Sequence, residues 1–125
     1  MIAGIGTDII EVDRIEQALA RNDRFVERVY SEAEREYCLS FSNPSERFAG
    51  RFAAKEAVAK SLGASLSWLD VEIISDEKGK PIVSLLNDAA VIADGREVML
   101  SISHCRSHAM AYAVALSNVN MMSDK

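Results

Sequence analysis

Asn43-Pro44-Ser45-Glu46 opens, and Gly63 closes, the longest unbroken helical pattern in the chain. No other feature constrains the fold as strongly. Asn43 offers a cap, Pro44 suits a first helical position, and Glu46 supplies an early carboxylate. Gly63 is the usual stop, because it alone enters the left-handed region without strain. At 1.5 Å per residue, residues 44–62 span about 28 Å, so this helix serves as a spine for the rest. Phe48, Phe52, Glu56 and Lys60 fall on one stripe of it, with Arg51 and Lys55 as a neighbouring positive row. Glu56 and Lys60 have the favourable order for an ordinary i,i+4 salt bridge. They also continue an apolar face, where charges are costly unless a ligand, metal or network matches them.

The chain has 125 residues, 49% hydrophobic and 26% charged. That suits one domain over residues 1–125 with one small core, and a core this small favours a site at a subunit interface. Residues 2–9 read as a buried first strand with Asp8 at its end. Helical patterns follow over Glu11–Ala20, through Phe25 and Val29, and from a Ser31/Glu34 capping box through Tyr37. The second half changes period. Leu69, Val71 and Ile73 alternate with acids as in a half-buried strand. Asp76–Lys80 is a turn, Pro81 opens another strand, and residues 86–93 form a short helix ended by Asp94-Gly95. REVMLSISH and AMAYAVALS then read as a hairpin, and residues 118–125 as a frayed tail. Helices on a mainly antiparallel sheet make the class α+β.

Several classes of function are disfavoured. Cys38 and Cys105 lie 67 positions apart, with no CxxC and no secreted framework, which points to a reducing compartment. MIAGIGTDIIEVDRIE carries no basic stretch before its apolar run, and no run approaches a spanning length. A cytoplasmic chain with no membrane role is expected. The net charge of −5 argues against a nucleic-acid partner but allows a local basic patch.

Asp8 has two readings, a cap for the following helix or a ligand for a hard cation such as Mg²⁺. Gly4 and Gly6 let a ligand or another backbone come close. His104 leaves an apolar strand, and His108 follows in a turn. Two histidines alone lack the spacing of a zinc site. Cys105 beside His104 is a poor nucleophile pair, since adjacent strand residues point to opposite faces. Arg14, Arg21 and Arg28 recur at seven-residue steps near Phe25. They form either a solvated face or a docking face for an acidic helix.

Together, GIGTDIIEVDRI at 4–15, FAGRFAAKEAVAKSLG at 48–63 and SISHCRSHAMAYAV at 101–114 resemble the three motifs of the bacterial holo-acyl-carrier-protein synthases. These are small phosphopantetheinyl transferases. The resemblance implies the 4'-phosphopantetheinyl transferase fold. It implies transfer of the 4'-phosphopantetheine arm of coenzyme A to a serine of apo acyl carrier protein, and a homotrimer with Mg²⁺ and coenzyme A between subunits. Asp8 and Glu56 would be metal carboxylates, with Glu56 also taking the serine proton. Lys60 would lie near the pyrophosphate, and His104 and Arg51 in the coenzyme A site. Arg14, Arg21, Phe25 and Arg28 would dock the carrier. The Ala64-Ser65-Leu66 loop departs from the family's glycine-containing loop. A non-catalytic, carrier-binding oligomer is the alternative reading.

Overall fold

The computed structural model describes residues 1–118; the tail expected at 118–125 lies outside the described residues except for Asn118. In chain order the elements are β1 (Ile2–Glu11), α1 (Val12–Arg21), α2 (Asp23–Val29), α3 (Glu32–Leu39) and α4 (Pro44–Leu62). A 3₁₀ turn (Trp68–Asp70), β2 (Val71–Ser75), β3 (Pro81–Leu85), α5 (Asn87–Ala93), β4 (Glu97–His104) and β5 (His108–Leu116) follow. The strands form an antiparallel sheet ordered β1-β5-β4 and a separate β2-β3 hairpin. This is the α+β arrangement the pattern predicts.

The helix α4 has the bounds its sequence sets, with Pro44 at its start and Gly63 at φ 66° closing it. The Asn43 side chain makes no capping bond. Ala53, Ala54 and Ala57 on α4 are fully buried, as are Ala109, Ala111, Ala113 and Ala115 on alternate positions of β5. Small side chains on both surfaces bring helix and sheet close together. Residues 109–115 therefore show the strand period as alanine against larger residues.

Gly4 and Gly6 carry the same contact onto β1. A Cβ on Gly6 would lie 2.2 Å from the Ala57 carbonyl oxygen, and one on Gly4 2.0 Å from that of Ser61. The close approach left open in the sequence is to the backbone of α4.

The structure departs from several of these readings. β1 is not a buried strand: Ile5 is 58% and Ile9 67% exposed, because the face of the sheet opposite α4 carries no second layer. Asp8 is not at the strand end, since β1 continues to Glu11 and pairs Asp8 with Ala111. Nor does Asp8 cap α1, whose N-cap residue is Glu11. α1 and α2 do not run in line, because Asn22 is extended (φ −153°, ψ 111°) and its side chain caps α2 by accepting from the Arg24 amide. No helix among the described residues is long and apolar enough to cross a membrane.

Candidate active site

With β1 lying directly on α4, residues of the first and second motifs meet. Lys60 Nζ donates to the Thr7 carbonyl at 3.0 Å and to Asp8 Oδ1 at 3.4 Å. It reaches across to β1 and does not form the expected ion pair with Glu56 along its own helix. Glu56 is half-buried, and its carboxyl is pushed above the usual carboxylate range, first by burial and then by the charge of Asp8. Lys60 opposes that shift. Two carboxylates that repel each other beside a single ammonium form a donor set suited to a hard cation.

Glu56 also lies where two cavities meet. One, of about 540 Å³, is lined by Lys55, Lys60, Ala64, Ser65 and Trp68 among others. The other, of about 420 Å³, is lined by Asp8, Arg14, Phe52 and His108 among others. His108 starts β5 instead of occupying a turn, and its Nδ1 is 3.0 Å from Ser107 Oγ. Its place in the Asp8 cavity was not read from the sequence, where nothing ties it to residues a hundred positions away.

The raised carboxyl of Glu56 has a consequence for stability. A group whose folded pKa exceeds its unfolded value holds extra protons in the native chain, so stability falls as pH rises through that window. The window opens near the ordinary value of 4.5. Glu56→Gln is therefore expected to raise the melting temperature of metal-free protein at neutral pH. The gain should vanish below about pH 4, where both states are protonated. Thermal melts in EDTA across pH check this; a variant that melts lower at neutral pH contradicts it.

The row of Arg51 and Lys55 is buried. Arg51 is 5% exposed, its guanidinium lies 4.2 Å from the Tyr37 ring centre, and it donates to Ser75 Oγ at 2.8 Å. The buried Nε atoms of Arg47 and Arg51 have no partner among the described residues. Both arginines line a cavity of about 100 Å³ with Tyr37 and His104. His104 Nδ1 is 2.9 Å from Glu46 Oε1, an interaction that holds the Glu46 carboxyl below its usual range.

The predicted residues thus fall into two groups within one chain. Asp8, Glu56 and Lys60 gather between β1 and α4, with Arg14 of α1 on the wall of the Asp8 cavity, whereas Arg51 and His104 line a separate cavity. Among the described residues, no group of three or more His, Cys, Asp and Glu side chains could hold a metal ion. Asp8 and Glu56 offer two such ligands. Arg14, Arg21 and Arg28 are exposed, and Phe25 is half-buried. The Phe25 ring packs 6.1 Å from Tyr30 and 6.3 Å from Phe52.

The family model described as 4'-phosphopantetheinyl transferase superfamily matches residues 4–115. A holo-[acyl-carrier-protein] synthase of Alkaliphilus oremlandii is 45% identical over 122 residues, covering 93% of this chain and 100% of that one. The chain belongs to the holo-acyl-carrier-protein synthase family. Solved members of the family share its architecture. The Bacillus anthracis synthase, in complex with CoA (3',5'-ADP), is 41% identical with a TM-score of 0.78, covering 94% of this chain and 99% of that one. The Helicobacter pylori synthase, in complex with coenzyme A, is 33% identical with a TM-score of 0.80, covering 89% and 98%.

Proposed function

We propose that the chain transfers the 4'-phosphopantetheine arm of coenzyme A to a serine of an apo acyl carrier protein, with Asp8, Glu56 and Lys60 as the reaction centre. The observation that carries this reading is Glu56, a carboxylate of raised pKa where two cavities meet, facing Asp8 and flanked by Lys60. Serine oxygen attacks the phosphorus that bears the pantetheine arm, and the bond from that phosphorus to the bridging oxygen breaks. Adenosine 3',5'-bisphosphate leaves. Glu56, directly or through one water, takes the serine proton. Lys60 neutralises charge on the leaving phosphate. Mg²⁺ held by Asp8 and Glu56 would supply charge neutralisation at the pyrophosphate, a cation usually bound by a few carboxylates plus phosphate oxygens and water.

Arg51 and His104 meet coenzyme A at the cavity they line together with Arg47. Their separation from Glu56 favours a site completed by a second subunit. The open sheet face supports assembly, since Ile5, Ile9, Met99, Met110 and Tyr112 are all at least 40% exposed. A homotrimer is the arrangement proposed.

The carrier docks on Arg14, Arg21 and Arg28 around Phe25, a basic surface on a chain of net charge −5. Arg21→Glu is expected to raise KM for the carrier by roughly tenfold or more through like-charge repulsion. The dissociation constant for coenzyme A should stay within about twofold. Steady-state kinetics with each substrate varied, and calorimetry for coenzyme A, separate the two; equal losses would rule out a docking face.

The reaction itself is tested by incubating the protein with coenzyme A, Mg²⁺ and apo carrier, with an EDTA control, and weighing the carrier. A gain of one phosphopantetheine arm that EDTA prevents is expected. No gain with carrier still bound would leave a binding oligomer.

A further inference from the structure

Beside Glu56, on the same helix, lies a buried charge that the reaction does not use. Lys55 and Glu34 form an ion pair at 2.8 Å with side chains 1% and 0% exposed. Such a pair is poor evidence of stability, since apolar residues of similar volume often replace one without loss. What this pair does is geometric. Lys55 Nζ donates to Glu34 Oε1 at 2.8 Å, to the Val29 carbonyl at 2.7 Å and to the Trp68 carbonyl at 2.9 Å. Glu34 accepts in turn from the Ser31 amide on Oε1 and from the Ile73 amide on Oε2, both at 2.8 Å. All three ammonium protons and both carboxylate oxygens are engaged.

The partners sit at four stations around α4: the last residue of α2, the first turn of α3, the 3₁₀ turn and β2. Two of these stations bear on the reaction. α2 carries Phe25 and Arg28 of the docking face, and Trp68 walls the larger cavity. Between them runs an aromatic stack. Trp68 lies 4.8 Å from Phe52, and Phe52 lies 6.3 Å from Phe25. Phe52 lines the Asp8 cavity. The stack thus joins both cavities to the docking face, and the two bonds from Lys55 to backbone carbonyls fix its ends.

We propose that Lys55 and Glu34 are positioning residues for transfer, holding the Trp68 wall and the carrier-docking helix at fixed stations beside Glu56. The inference rests on the reaction centre proposed above. Displacement of reacting groups by about 1 Å costs on the order of a hundredfold in rate, so loosening either station should be felt at Glu56.

The test measures kcat per folded site, KM for coenzyme A and for carrier, and melting temperature, in three variants. Glu34→Leu/Lys55→Met replaces the pair with apolar residues, while Lys55→Arg and Glu34→Asp keep both charges but not the bond geometry. The expected result is a fall in kcat per folded site of about tenfold or more in each variant that folds. Melting temperatures are expected to fall as well, since the altered side chains leave buried backbone groups unpaired, which is why kcat is taken per folded site. A merely structural pair would lower the melting temperature and leave kcat per folded site unchanged, which would overturn the proposal. So would failure of all three variants to fold, since the pair would then be a folding element. Glu56→Gln, run in parallel, separates the two readings. If it keeps wild-type activity, the reaction centre is wrong; if it is inactive while the three variants keep wild-type kcat, only the positioning role is.

Discussion

Glu56→Gln is expected to lower kcat by about 10²–10⁴-fold, the usual contribution of a positioned general base. The exchange keeps the shape of the side chain and its place between the two cavities, while removing proton affinity and charge. Asp8→Asn should be comparably severe for a different reason. It leaves Glu56 as the one proposed anionic metal ligand, and it removes the negative charge that faces Lys60 from β1, while the Thr7 carbonyl remains. The two variants differ in what survives. Without the Asp8 charge, the second cause of the raised Glu56 carboxyl disappears, whereas burial, the first, remains. Transfer followed by carrier mass, together with coenzyme A affinity with and without Mg²⁺, checks both. Mg²⁺-dependent affinity should drop in each. If both variants turn over within about threefold of wild type, the carboxylates hold neither the metal nor the serine proton.

Local chemistry made parts of this arrangement legible in advance. The ends of α4 are set by Pro44 and Gly63, residues whose backbone preferences act within one turn. The capping box of Ser31 and Glu34 is likewise present. Glu34 also shows why sequence reading stops short. Its local role accounts for the residue type, and nothing marks that the same carboxylate meets Lys55, 21 positions on. Lys55 reads only as part of a positive row, because helical period gives a direction but not what packs there. β1 misleads in a related way. Isoleucines on a short apolar run look buried, yet Ile5 and Ile9 face away from α4 and are exposed. The motif residues themselves were visible, while their division into two groups depends on the trace of the whole chain.

Gly6→Ala is expected to be strongly destabilising, although it adds only one methyl group. That Cβ would lie 2.2 Å from the Ala57 carbonyl oxygen and 2.7 Å from the Ser61 amide nitrogen. Both are backbone atoms of α4, so no rotamer change relieves the overlap. Retreat of the helix is also blocked, because Ala53, Ala54 and Ala57 are fully buried and pack in one core with Ala111, Ala113 and Ala115 of β5. Overpacking usually costs about 1–3 kcal/mol, and a clash against fixed backbone belongs at or above that range. For a chain of this size that corresponds to a drop in melting temperature of about 10 °C or more. Gly79→Ala is the control. Gly79 has φ 84° with nothing within 4 Å of an added methyl, so that change meets strain of about 1–2 kcal/mol without a clash. Gly6→Ala should fall well below it, and its folded fraction should also lose transfer, because any separation of β1 from α4 carries Asp8 away from Lys60 and Glu56. If instead the two variants melt together, the contact of β1 with α4 is looser than these distances require. The glycines of the first motif would then serve the site in some way other than by bringing its carboxylates together.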